Sequence, residues 1–229
     1  MRPQSSIFQS PLDLLRTAKT SAKLYEIERL TWTKALADFQ DQIDAGNIAP
    51  QARIFINSIS NNVLNASDAD ALELAHPDLL SRIVLEILES ENVNENYIKL
   101  KINRMREWNA LVALDDFGTG YNSEYALITM QPNIIKIDRS IISGCDKDIS
   151  RRTIITSLVK LARTKQIFVL AEGVETEAEL RTVIACGVDL LQGYYFNRPL
   201  FEPQPIAKET TDLIRSLNQT AADSRTTAG

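Results

Sequence analysis

The stretch Leu111-Val112-Ala113-Leu114-Asp115-Asp116-Phe117-Gly118-Thr119-Gly120-Tyr121 begins as an apolar run and breaks off into two adjacent carboxylates and a glycine-bearing loop. A short apolar run bounded by turn signals reads as a buried strand. Its last residues then stand at the carboxyl end of that strand, where α/β enzymes keep their chemistry. Adjacent carboxylates are costly to hold together without cations. At a strand end they point to Mg²⁺ or Mn²⁺, which prefer oxygen ligands. A solvated Asp-Asp turn followed by flexible glycines is the other reading, and the remaining strand ends decide between them.

Working outward, Ser10-Pro11 starts a helix, and Leu24, Ile27, Leu30, Leu36, Phe39 and Ile43 mark a second one that ends at Gly46. Strands are expected at Arg53–Asn57, Ile83–Glu89, Leu111–Asp116, Ile134–Asp138, Ile167–Ala171 and Val188–Gly193. Helices are expected at Asp68–Ala75, Glu91–Glu107 and Tyr121–Thr129, around Ile155–Ala162 and Leu180–Ile184, and near Ile206–Leu217. Strand–helix alternation of this kind means a parallel sheet, open or closed into a barrel. No G-x-G-x-x-G follows a strand, so a dinucleotide fold has no support. A (β/α)₈ barrel needs eight strands, and this pattern supplies two fewer. One domain over residues 1–217 is expected, followed by a disordered polar tail at 218–229.

Composition narrows the function classes. A net charge of −5 and a pI near 5.1 argue against a nucleic-acid backbone binder, so an anionic ligand needs local cations. Cys145 and Cys186 are too few for a disulfide framework or a zinc site, and His76 ahead of Pro77 reads as a surface residue. No apolar run approaches a membrane span, and the start lacks a signal peptide's apolar core. The expected compartment is the cytoplasm.

The six expected strand ends carry Asn57, Glu86, Asp115 with Asp116, Lys136 with Asp138, Glu172, and Gln192. One polar residue at a strand end is ordinary; one at every strand end is poorly explained by chance. Carboxylates and an amide oxygen suit two divalent cations. A lysine among them can hold a water or balance the charge. Gly118, Gly120, Gly173 and Gly193 allow close backbone approach or a mobile lid. The chemistry implied is metal-assisted hydrolysis of a phosphate ester.

Asp115–Tyr121, Lys136-Ile137-Asp138-Arg139, Ala171–Thr176 and Gln192-Gly193-Tyr194, in this order, resemble the EAL domain family of bacterial cyclic di-GMP phosphodiesterases and their inactive relatives. The resemblance covers about Met1 to Leu200. It implies an α/β fold, a modified (β/α)₈ TIM-like barrel. It also implies Asn57, Glu86, Asp115, Asp116 and Glu172 as ligands of two Mg²⁺ or Mn²⁺ ions, with Asp115 bridging them. Lys136 and Gln192 would address the nucleophilic water. Asp138 and Glu175 would support the site and a guanine pocket, and Arg2 would match an arginine that contacts a ligand phosphate. Glu89 would pin the loop formed by Phe117, Gly118, Thr119, Gly120 and the residues up to Ser123. In the family that loop joins the metal site to a homodimer interface. The reaction would open cyclic di-GMP to linear pGpG.

The departure is at the front. The Glu-Ala-Leu triad that names the family is absent, and Met1-Arg2-Pro3 followed by Ser10-Pro11 fits the continuation of the pattern beyond it. The expectation is an incomplete barrel lacking about two N-terminal strands and one metal ligand, with little or no hydrolysis by the chain as written. Either the natural protein has those strands and is an ordinary phosphodiesterase, or the short form is a cyclic di-GMP receptor or protein-interaction module without catalysis.

Overall fold

The computed structural model describes residues 10–59, 61–88, 94–118, 123–200 and 202–226. It divides into two compact units, Met1–Val112 and Ala113–Gly229.

In the first unit, helix α1 (Pro11–Thr20) starts as expected: the Ser10 hydroxyl accepts from the Asp13 N–H at 3.2 Å, and Pro11 occupies a position whose N–H would have no partner. Helix α2 (Leu24–Asp44) buries Trp32, Leu36 and Phe39 along one face. Strands β1 (Ile54–Asn57) and β2 (Ile83–Leu88) pair in parallel, in register from Ile54 opposite Ile83 to Asn57 opposite Glu86. Burial of Ile83 to Ile87 without alternation is what a strand covered on both faces requires. Helix α3 (Ala66–Ala75) starts two residues earlier than its apolar pattern, because the Asn65 side chain caps it by accepting from the Asp68 N–H. Helix α4 (Glu95–Glu107) is capped by Asn94. It leads to Trp108, whose ring meets Trp32 edge-on at 5.8 Å.

In the second unit, β3 (Leu111–Phe117, whose first two residues belong to the first unit), β4 (Ile134–Ile137), β5 (Phe168–Ala171) and β6 (Leu190–Leu191) pair successively, all in parallel. Helices α5 (Ser123–Met130), α6 (Arg139–Ile142), α7 (Ile149–Thr164), α8 (Glu177–Cys186) and α9 (Lys208–Thr226) intervene or follow. Two differences from the sequence pattern have local causes. Asp138 does not extend β4; its carboxylate caps the short α6 by accepting from the Ser140 N–H at 2.8 Å. β6 is brief because Asp189 meets Val169 partly through its side chain, which accepts the Val169 N–H at 2.8 Å in place of a backbone carbonyl. Helix α9 runs past Leu217 to Thr226, into the stretch read as a disordered tail; Gln219, Ala221, Ala222 and Arg225 there are compatible with helix. Among the described residues, no helix is long and apolar enough to cross a membrane.

Candidate metal centre

Successive residues of a regular strand point to opposite faces, so Asp115 and Asp116 should not serve one site. The backbone breaks that rule where it matters. The β3–β4 register shifts between Leu114 and Phe117, and Asp116 takes a left-handed φ of 56°. Such a bulge re-aims a side chain, and aspartate tolerates the left-handed region better than most residues. As a result Asp115, Asp116 and Glu172 each bring a carboxylate oxygen within 4.8 Å of the others. Glu172 enters from the end of β5, its N–H donating to the Ile137 carbonyl at 3.1 Å.

Lys136 on β4 reaches the same point. Its ammonium lies 2.7 Å from Asp115 Oδ1 and 3.6 Å from Glu172 Oε2, with a side chain only 3% exposed. Asp115 Oδ1 is buried and makes no well-formed hydrogen bond among the described residues, so the Lys136 charge is its company. Three carboxylates around one ammonium leave an excess of negative charge when ionised. An oxygen-rich, charge-deficient cluster of this type fits a hard divalent cation.

Other expected site residues fall as follows. In the first unit Asn57 ends β1 and lies opposite Glu86, which stands two residues before the end of β2; Asn57 is exposed and Glu86 buried. In the second unit, Gln192 has an exposed side chain. Its backbone is held on both sides, its N–H by the Ala171 carbonyl at 2.9 Å and its carbonyl by the Val174 N–H at 3.0 Å. Phe117 is buried, and Gly118 has a φ of 96°. Glu175 pairs with Arg139 at 2.9 Å. Arg2, Glu89, Thr119 and Gly120 lie outside the described residues.

Three participants were not singled out from the sequence. Arg139 spans Gly173 to reach Glu175: a Cβ on Gly173 would stand 2.5 Å from Arg139 Cγ. Glu179 is buried behind the loop that carries Glu172, and its Thr-x-x-Glu capping-box spacing from Thr176 was legible. Glu28 is a buried carboxylate on α2 that serves the loop after Asn57. It accepts from Ile59 N–H at 2.8 Å, Ser58 Oγ at 3.2 Å and Trp32 Nε1 at 3.3 Å. No motif flagged it, because it sits mid-helix among ordinary polar residues.

A model of the EAL domain matches residues 2–199. The bifunctional diguanylate cyclase/cyclic di-GMP phosphodiesterase MucR of Pseudomonas aeruginosa is 28% identical over 209 residues, covering 90% of this chain and 30% of that protein. This chain therefore spans about a third of that relative. Among solved structures, a standalone EAL protein from Vibrio cholerae in its c-di-GMP-bound form superposes with a TM-score of 0.73. It is 28% identical and covers 83% of this chain and 80% of its own. The manganese/cyclic di-GMP complex of Klebsiella pneumoniae BlrP1 gives a TM-score of 0.68 at 25% identity, covering 83% of this chain and 48% of that one. The architecture is thus the α/β, TIM-like barrel type of these proteins.

Proposed function

Since the chain belongs to the EAL domain family, we propose that it is a cyclic di-GMP phosphodiesterase module that opens cyclic di-GMP to pGpG. The observation that carries this reading is the convergence of Asp115, Asp116 and Glu172 within 4.8 Å, with the Lys136 ammonium on Asp115. In this reading Asn57, Glu86, Asp115, Asp116 and Glu172 hold Mg²⁺ or Mn²⁺. Hard cations there supply Lewis-acid stabilisation of phosphoryl charge and activation of a water.

The chain's own groups do the rest. Lys136, kept in place by two carboxylates, donates a hydrogen bond to the attacking water and orients it. Gln192, anchored through its backbone, offers its amide to the same water. The new bond is from water oxygen to phosphorus; the bond broken is from phosphorus to the ribose 3′ oxygen, which leaves with a proton. Glu175 and Asp138 act on the guanine side mainly through structure, one by pairing with Arg139 and the other by capping α6. The same reading includes a homodimer through the 117–123 region and a cytoplasmic location.

The test is turnover of cyclic di-GMP with Mg²⁺ or Mn²⁺ by a form carrying a Glu-Ala-Leu strand ahead of Met1 and by the Asp115→Asn variant of that form, beside the chain as given, which is expected to turn over little or nothing. Release of pGpG that falls at least a hundredfold in the variant is expected, about 2.7 kcal/mol of transition-state stabilisation. Calorimetric binding of cyclic di-GMP in Ca²⁺ with no turnover by the form carrying that strand in either activating metal would replace the hydrolase with a ligand receptor.

A further inference from the structure

Glu179 is a buried carboxylate, 5% exposed, whose oxygens accept from backbone N–H groups outside the carboxylate cluster. Its two oxygens divide between two loops. Oε1 accepts from the Gly144 N–H at 2.9 Å, in the turn that follows α6. Oε2 accepts from the Glu175 N–H at 2.9 Å and the Thr176 N–H at 3.0 Å, in the β5–α8 loop. An ordinary capping box needs only the link to its N-cap residue; the bonds to Gly144 and Glu175 are additional.

The clamped loop is the one that begins with Glu172. From Glu172 to Thr176 its backbone has few ways to move: Glu172 N–H is held by Ile137, Val174 N–H by Gln192, and the next two N–H groups by Glu179. Glu179 also ties together the two segments that carry the Arg139–Glu175 ion pair, since Gly144 closes the turn after α6 and Arg139 opens that helix.

We infer that Glu179 is a positioning residue for the metal centre, a carboxylate that fixes the Glu172–Thr176 loop against the α6 turn and so sets where Glu172 meets Asp115 and Asp116. This rests on the metal-binding reading of that cluster. The chemistry requires a carboxylate and not merely a polar group. All three partners are N–H donors, and a carboxamide offers one acceptor oxygen and an NH₂ group that faces a donor. Groups that orient metal ligands typically change metal affinity by about 10- to 100-fold when removed.

The experiment is Mn²⁺ titration of the full chain by calorimetry, with thermal unfolding read on the same samples. Asp115→Asn identifies binding at the cluster. Glu179→Gln is expected to weaken Mn²⁺ by about tenfold or more. Thr176→Val removes the hydroxyl that caps the Glu179 N–H but leaves both Glu179 clamps; it is expected to lower thermal stability and leave Mn²⁺ affinity within about twofold. Should Glu179→Gln not fold, Glu179→Asp carries the test, because a side chain one methylene shorter cannot span both loops and must also weaken Mn²⁺. Wild-type binding that Asp115→Asn abolishes, but that the folded Glu179 variants and Thr176→Val change equally or not at all, overturns the positioning role alone. No Mn²⁺ binding by the wild type, or binding that Asp115→Asn leaves intact, overturns the site and this inference together.

Discussion

At the scale of single residues, the Asp115-Asp116 pair shows what a sequence motif leaves out. The residue types announce oxygen ligation, but two neighbours on a regular strand would face apart. It is the register shift and the left-handed Asp116 that bring both to Glu172. Lys136 belongs to the same balance of charge. Lys136→Met should leave Asp115 buried beside other carboxylates without its cation, costing about 3–5 kcal/mol. Thermal unfolding in a chelator should show that loss, and added Mn²⁺ should recover part of it. Gly173 is a second sharp case, with φ at 74° and the Arg139 side chain packed where a Cβ would be. Gly173→Ala is expected to destabilise by at least about 1–2 kcal/mol for the left-handed backbone alone. The displaced Arg139 adds to it, measurable as a lower urea midpoint with an unchanged slope.

At the scale of elements, both units hold a loop after a strand by means of a buried glutamate on a helix. Glu179 on α8 does so behind Glu172, and Glu28 on α2 does so behind Asn57. Burial pushes the Glu28 carboxyl above its ordinary range, against the pull of the Lys101 ammonium and the Ile59 N–H. Lys101 itself donates to Ser58 Oγ and to the Ile59 carbonyl at 2.6 Å. A carboxyl raised in the folded state holds its proton longer there than in the unfolded chain. Its contribution is fully present below the unfolded value and declines as pH rises through the folded one. Glu28→Gln should remove that slope above about pH 4.5 and take a buried negative charge away from the Lys101 ammonium, costing about 3 kcal/mol. The Glu28→Gln/Lys101→Met double variant should be more stable than Glu28→Gln alone, a coupling that denaturant unfolding of the full cycle reads directly. Glu179 has the opposite sign. Burial raises its carboxyl, but the N–H groups of Gly144, Glu175 and Thr176 outweigh burial and hold it below the ordinary range. Its contribution is present above the unfolded value and is lost as pH falls through the folded one. Glu179→Gln should therefore flatten the acid limb of a stability–pH curve below about pH 4.5, the reverse of Glu28→Gln.

At the scale of the whole molecule, a chain of net charge −5 has no general field to attract an anionic dinucleotide. In the proposed reading the cations for such a ligand come locally, from metal at the carboxylate cluster and from residues such as Lys136. Chelating divalent ions is therefore expected to weaken cyclic di-GMP binding by at least about tenfold, or 1.4 kcal/mol, in calorimetry at fixed ionic strength. Adding monovalent salt in the presence of Mg²⁺ should weaken it far less.

The sequence alone determined the α/β alternation and the family. Apolar periods, helix caps such as Ser10 and the residues Asp115, Asp116, Lys136 and Glu172 are local signals, readable without knowing what packs against what. It could not determine which of those residues converge, nor what holds them. Asp138 and Asp189 look like strand residues in sequence and are a helix cap and a side-chain link in space. Glu28 and Glu179 look like surface glutamates of amphipathic helices, and only tertiary structure turns them inward. The physical reason is that a buried carboxylate is tolerable only when several donors converge on it. Those donors come from segments as far apart in the chain as residues 28 and 59, or 144 and 179.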